Sequence, residues 1–309
     1  MYRRALLSAG VTGATAGCLG PAFGFGSDCP RGASLRLRPV TDADTADAAS
    51  GSLDTLAPPH RDTIVAAHHG DEPTIWLPES ADAPFAGTDY VAVDDAYVTV
   101  STSVVSSTER TGYEVRLDTD ESTTPGRSVA LADLPAVDRT GLYVSLGYNT
   151  FRKLDASEGA HAVSIGGTLA YPTDDAESRS VLVPDPEYDT VRIGGDPFRV
   201  RITGTTPTTV GTRRVDVRTV ATAASEFAAL VYDRFGVDLD ERGLSTEQRD
   251  VVETAISDGY DECAPYSEAY ADLQRTLGGT GQGDPRSRRV DYANYETEWY
   301  SVQVSEYVV

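Results

Sequence analysis

A spaced pattern of residues that occurs three times constrains this chain most, because a repeated pattern requires a repeated structure. The pattern is a leucine, an arginine five residues later, an aliphatic and a small residue at successive three-residue steps, and a closing glycine. Its copies are Leu56, Arg61, Ile64, Ala67 and Gly70; Leu134, Arg139, Leu142, Ser145 and Gly147; and Leu244, Arg249, Val252, Ala255 and Gly259. We therefore expect three structural units that share one element.

Each copy of the pattern predicts a short amphipathic helix. Val252 and Ala255 fall on one face of a helix with about 3.6 residues per turn. Ser245 and Gln248 have the spacing of a capping box, and Pro58 suits the start of the first helix. Since glycine adopts a left-handed backbone conformation readily, the closing glycine marks the end of each helix.

Apolar and polar residues alternate after each predicted helix, at 97–100, 198–202 and 300–304. The first two copies have a second such run, at 113–117 and 215–218. Alternation with a period of two is typical of antiparallel strands with one buried face. The sequence therefore predicts an α+β fold with three repeated units, each a short helix followed by an antiparallel β-meander.

These elements divide the chain into five predicted segments. Residues 1–17 form a signal peptide, and residues 18–33 form a lipid-anchored tether. The first α+β unit is expected at 34–125, and the second, with an inserted hairpin, at 126–222. A linking helix and the third α+β unit occupy 223–309.

The N-terminal residues have the pattern of an export signal. Arg3 and Arg4 precede a weakly apolar run at 5–17, and Cys18 follows two small residues. The paired arginines resemble a twin-arginine signal, and the residues around the cysteine resemble a lipobox. A run of about a dozen residues is too short to span a bilayer. We therefore expect an exported protein, held on the outer face of the cytoplasmic membrane by a lipid on Cys18.

The charge composition indicates the solvent for which the chain is built. Asp and Glu number 48 and Lys and Arg 26, the formal net charge is −22, and Lys153 is the sole lysine. A chain this acidic lacks the basic footprint that nucleic acid requires, so we expect no nucleic-acid partner. Acidity combined with arginine in place of lysine is typical of proteins that work in concentrated salt. Together with its signal, the chain resembles twin-arginine-exported lipoproteins of haloarchaea, which implies a lipid anchor and no particular activity.

If Cys18 carries the lipid, Cys29 and Cys263 remain as an even pair in an oxidising compartment. A disulfide between them would join the N-terminal tether to the C-terminal third of the chain. Two unpaired thiols are the alternative, because the sequence does not give the separation of the two Cα atoms.

The densest group of candidate metal ligands consists of His60, His68, His69, Asp71 and Glu72. Imidazole and carboxylate groups bind zinc and other divalent metals. However, the His-x3-His spacing that places two ligands on one face of a helix is missing. A histidine at the C-terminus of a helix is also favoured by the helix dipole without any metal. Both interpretations stay open.

These features predict a lipid-anchored, extracytoplasmic binding or structural module with no cofactor. Its expected partners are the cell membrane, through the N-terminal lipid, and an extracytoplasmic protein. The repeated Arg61, Arg139 and Arg249 favour packing or ion pairs, since a single active site should not occur three times. The alternative is a metal-dependent hydrolase that uses the segment from His60 to Glu72, so the sequence leaves open whether the protein is an enzyme. A substrate-capturing lipoprotein of a transporter would need two lobes around a cleft.

Overall fold

The computed structural model describes residues 31–78, 89–119, 126–156, 164–278 and 290–308. The described chain divides into two compact units. Unit 1 combines the residues up to Pro39 with those from Val237 onward, and unit 2 comprises Val40–Gly236. The predicted signal peptide lies outside the described residues.

Eight α-helices form in the described residues. They are α1 (Asp42–Ala49), α2 (Pro58–His68), α3 (Ala136–Leu146), α4 (Tyr148–Ala156), α5 (Asp174–Ser178), α6 (Ala224–Phe235), α7 (Thr246–Ser257) and α8 (Glu268–Thr276). The side chain of Ser245 accepts from the N–H of Gln248, and the side chain of Gln248 accepts from the N–H of Ser245. The predicted capping box of α7 is therefore confirmed, as is the start of α2 at Pro58.

Thirteen strands form in the same residues, and two of them are unusually long. They are β1 (Arg31–Pro39), β2 (Gly51–Ser52), β3 (Thr74–Pro78), β4 (Val91–Val93), β5 (Ala96–Thr119), β6 (Ser128–Ala130), β7 (Ser164–Leu169), β8 (Thr190–Ile193), β9 (Asp196–Ala221), β10 (Gly236–Asp238), β11 (Tyr260–Cys263), β12 (Tyr292–Tyr295) and β13 (Glu298–Val308). Strands β5 and β9 contain 24 and 26 residues.

Strands β5 and β9 form the centre of unit 2. They pair antiparallel along almost their whole length, from Tyr97 opposite Ala221 to Thr119 opposite Phe198. The sheet has eight strands in the order β2-β4-β5-β9-β8-β6, with β3 added to β9 and β7 added to β5. Strands β2 and β6 lie parallel to β4 and β8, respectively, so the sheet is mixed.

The predicted three-fold repeat of a helix followed by a β-meander is wrong. In a meander each strand pairs with the next strand in the chain, whereas β3 pairs with β9 and β7 pairs with β5. The structure has two units with large sheets and no clear three-fold repeat. The alternation of side chains shows which face of a strand is buried, but it does not specify the strand beside it.

Two apolar clusters stabilise unit 2. One packs α3 and α4 against β7, β8 and β9, and its Leu142, Phe151, Leu169 and Phe198 are at most 2% exposed. Helix α3 approaches β7 closely because Gly141 has no side chain, which would otherwise meet Leu169. The other cluster joins α2 to β3, β4 and β5.

Unit 1 is a five-stranded sheet with two helices. The strand order is β10-β12-β13-β1-β11, and β1 pairs antiparallel with both β13 and β11. The apolar side chains of β1 alternate, so that Leu35 and Leu37 are buried with Val252 of α7 and with Tyr270 and Leu273 of α8. This sheet and its helices form their own core.

Candidate functional site

The predicted metal ligands of unit 2 lie in different environments. His60 in α2 is 5% exposed, and burial lowers its pKa from 6.5 to about 4. His69 is exposed at the end of α2, where its Nε2 lies 3.2 Å from Oδ2 of Asp94. Asp71 and Glu72 are exposed between α2 and β3.

The structure does not bring these groups together into a metal site. His68 is the last residue of α2, and its ring centroid lies 5.6 Å from that of His69. In the part of the chain that the structure describes, no three His, Cys, Asp or Glu side chains are placed to hold a metal ion. The metal site therefore stays a prediction from the sequence.

Cys263 lies on β11 and is disulfide-bonded. Cys29 and Cys18 lie outside the described residues. The pairing of Cys29 with Cys263 and the lipid on Cys18 therefore stay predictions.

A pocket of about 720 Å³ opens on unit 2 beside α3, α4 and β8. Three arginines line it, Arg139, Arg152 and Arg192. Among the described residues that line the pocket there is no Asp or Glu, although these two types make up 48 of the 309 residues of the chain. The pocket is therefore a cationic site on an acidic protein.

Each arginine comes from a different element. Arg139 lies on α3, Arg152 on α4, and Arg192 on β8. Gly147 has a φ of 82°, which ends α3 and lets α4 begin directly after it. Gly195, in the turn between β8 and β9, has a φ of 94°, and a Cβ there would meet nothing within 4 Å. The rim of the pocket is therefore open on this side.

Aromatic rings form one wall of the pocket. The ring of Tyr143 lies 5.1 Å from that of Tyr148 and 5.4 Å from that of Phe151, at interplanar angles of 83° and 79°. Such edge-to-face contacts hold aromatic side chains in fixed positions. The wall therefore offers a fixed apolar surface beside the arginines.

Within the part of the chain that the structure describes, no carboxylate forms an ion pair with the arginines of the pocket. Nη1 of Arg139 donates to the carbonyl oxygen of Ala132 at 2.6 Å, which orients this side chain. Arg152 and Arg192 are exposed, and neither forms an ion pair with another described residue. A guanidinium group with free donors can form two parallel hydrogen bonds to a carboxylate or phosphate. The pocket can therefore bind an anion.

Arg110 shows how this chain holds an arginine that has a structural role. Its Nη1 lies 2.6 Å from Asp174 and its Nη2 lies 3.3 Å from Glu177. Its side chain is 12% exposed. Arg152 and Arg192 therefore differ from this structural arginine in both exposure and partners, whereas Arg139 differs in its partner, a backbone carbonyl.

A larger groove of about 860 Å³ lies beside α7 and α8 in unit 1. Four carboxylate residues line it, Glu247, Asp250, Glu268 and Asp272. In a chain with this many Asp and Glu residues, clusters of carboxylates are expected on much of the surface. The groove therefore indicates no specific ligand, and the arginine pocket is the stronger candidate site.

Sequence reasoning found one of the three arginines and gave it another role. Arg139 was expected to serve packing or an ion pair, as Arg61 does with Asp62 at 3.4 Å. Arg152 and Arg192 were missed because three elements contribute to the site. One signal could have found Arg152, since residues 139–154 contain no Asp or Glu.

Comparison of the chain with protein-family models, with curated proteins and with solved structures finds no match. Within the described residues, no helix has both the length and the apolar character needed to cross a bilayer. The pocket must therefore be interpreted from its own residues.

Proposed function

We propose that this protein is an exported, lipid-anchored binding module that holds a small organic anion in the arginine pocket of unit 2. One observation carries this proposal. Three arginines line one pocket, and no Asp or Glu is among its described lining residues, although the chain has a net charge of −22. A volume of about 720 Å³ lies within the range of small-molecule sites.

Arginine suits an anion site in concentrated salt. At about 1 M salt the Debye length is about 3 Å, so distant charges neither attract nor repel the ligand strongly. Paired hydrogen bonds from a guanidinium act at contact distance and also require a matching planar geometry. Arg152 and Arg192 supply such donors.

The aromatic wall supports an organic ligand over a simple inorganic ion. Chloride is abundant in concentrated salt and competes for any isolated arginine. Contact of a ring with Tyr143 and Tyr148, which are partly exposed, adds apolar and stacking energy that chloride does not have. A ring that carries a carboxylate or phosphate therefore matches both parts of the pocket.

The location in this proposal comes from the N-terminal sequence. Arg3, Arg4 and Cys18 support export and lipid attachment, and all three precede the described residues. Replacement of Cys18 by Ser should release the protein from membranes into the medium, and membrane retention of this variant would contradict the anchor.

Isothermal titration calorimetry in concentrated sodium chloride tests the ligand. The probes are phenyl phosphate, benzoate and inorganic phosphate, and we expect saturable binding of an organic anion with one site per chain. Arg192→Gln removes one guanidinium from the pocket and should weaken this binding at least about ten-fold. Arg218→Gln removes the same charge from an exposed position on β9 and is the matched control.

Two results would contradict the proposal. One is the absence of saturable binding for all three probes. The other is equal weakening by Arg192→Gln and Arg218→Gln, which would indicate that the overall charge of the chain, and not the pocket, governs binding.

A further inference from the structure

Strand β5 has an open hydrogen-bonding edge in its middle. Strand β9 occupies one edge of β5. The other edge pairs with β4 as far as Val98 of β5, and with β7 from Tyr113 of β5 onward. Among the described residues, no strand pairs with this second edge between 99 and 112. Unpaired edges of this length bind further strands readily.

Most of this edge lacks the charged side chains that natural proteins usually place on an open strand. Residues 96–108 contain no charged side chain, although 24% of the chain is charged. Val104 and Val105 are each 61% exposed. Charged residues and proline are the usual means of protecting an edge, and the open part of β9 at 200–209 contains both.

The exposed segment is complementary to itself. Residues 101–108 read Ser-Thr-Ser-Val-Val-Ser-Ser-Thr. Antiparallel pairing about a two-fold axis between Val104 and Val105 places valine opposite valine and a hydroxyl side chain opposite a hydroxyl side chain at the other positions. A two-fold interface requires a surface that is complementary to itself in this way.

The register of β5 also fits this axis. In an antiparallel pair, side chains that lie opposite each other point to the same face of the sheet, whereas successive side chains along one regular strand point to opposite faces. A two-fold axis between two successive residues would therefore pair side chains from opposite faces, unless one extra residue at the axis shifts the alternation. Val104 lies opposite Arg213 and Ser106 lies opposite Thr212, so Val105 is an extra residue in β5. The irregularity therefore falls at the centre of the self-complementary segment.

We propose that β5 is a dimerisation strand, through which two copies of this chain join their sheets in an antiparallel arrangement. Ser103 of one copy lies opposite Ser106 of the other. In concentrated salt, like charges still repel at contact distance, and this chain has a net charge of −22. The uncharged stretch is therefore where two copies approach at the lowest electrostatic cost.

Multi-angle light scattering of the purified full chain in concentrated sodium chloride tests this proposal. We expect a molar mass twice that of one chain. Val105→Lys places a charge at the centre of the interface and should convert the protein to a monomer. Thr205→Lys places the same charge on the open part of β9 and should leave the dimer intact. Circular dichroism of both variants shows whether they remain folded.

Cysteine cross-linking tests the register independently. The double variant Ser103→Cys with Ser106→Cys brings the new thiols of two copies opposite each other, so mild oxidation should produce a covalent dimer. In the double variant Ser103→Cys with Thr108→Cys the two thiols do not lie opposite each other, so little covalent dimer should form. A single-chain mass for the unmodified protein, or equal cross-linking in the two variants, overturns the proposal.

Discussion

At the scale of single residues, His60 couples the stability of unit 2 to pH. It is 5% exposed in α2, and burial lowers its pKa from 6.5 to about 4. Between these two values the unfolded chain binds a proton that the folded chain does not bind. The free energy of unfolding therefore falls as the pH decreases from about 6.5 to about 4, by up to about 3 kcal/mol.

Substitution of this histidine should remove its part of the pH dependence. We expect His60→Gln to lose less stability than the unmodified protein between pH 7 and pH 4.5, as measured by urea unfolding in concentrated salt. His69→Gln changes an exposed histidine and should keep the full dependence. The same decrease in stability for all three proteins would show that carboxylates, and not His60, dominate this range.

At the scale of elements, a buried carboxylate fixes α3 against the segments on both sides of α5. Oδ1 of Asp138 accepts from the hydroxyl of Tyr171 at 2.5 Å, and Oδ2 accepts from the N–H of Val181 at 2.9 Å. The same hydroxyl lies 2.8 Å from Oγ of Ser180. Burial, together with the charge of Asp138, raises the pKa of Tyr171 above its usual value, so the phenol stays a donor.

Neutralising this carboxylate should destabilise unit 2. Asp138→Asn keeps the shape of the side chain but places an amide N–H2 against a donor, which we expect to cost about 2 kcal/mol. Asp133→Asn makes the same change at an exposed position and should cost little. Urea unfolding in concentrated salt measures the difference, and equal stabilities would show that the network contributes nothing.

Local elements of this fold could be predicted from the sequence, because their signals are local. Ser245 with Gln248 and the proline at position 58 mark helix starts through groups within a few residues. The pairing of β3 with β9 could not be predicted, because Thr74 and Arg214 become neighbours through a ladder of backbone hydrogen bonds that carries no side-chain signature.

The length of β5 could not be predicted from the sequence for the same reason. The sequence indicated strands at 97–100 and 113–117, whereas β5 continues through the exposed residues between them. Backbone pairing with β9 sustains that stretch without a buried face. The candidate site was hidden in turn, because the topology that brings Arg192 of β8 to α3 and α4 could not be predicted.

At the scale of the whole molecule, we expect the excess of carboxylates to make stability depend on salt. The described ion pairs are mostly exposed, as between Arg179 and Asp175 with 65% and 79% of their side chains accessible. Exposed pairs contribute little, so they do not offset the mutual repulsion of the remaining carboxylates. Dissolved salt screens that repulsion, and its removal favours an expanded chain.

Removal of salt should therefore unfold or loosen the protein. We expect the circular dichroism signal and the thermal midpoint to fall as sodium chloride is dialysed away, and to recover when it returns. Sucrose at matched water activity strengthens burial without screening charge, so it should restore less of the midpoint than sodium chloride does. An unchanged spectrum in dilute buffer would contradict the interpretation that the acidic composition suits the protein to concentrated salt. Equal recovery with sucrose would attribute the effect to hydration instead of to repulsion between carboxylates.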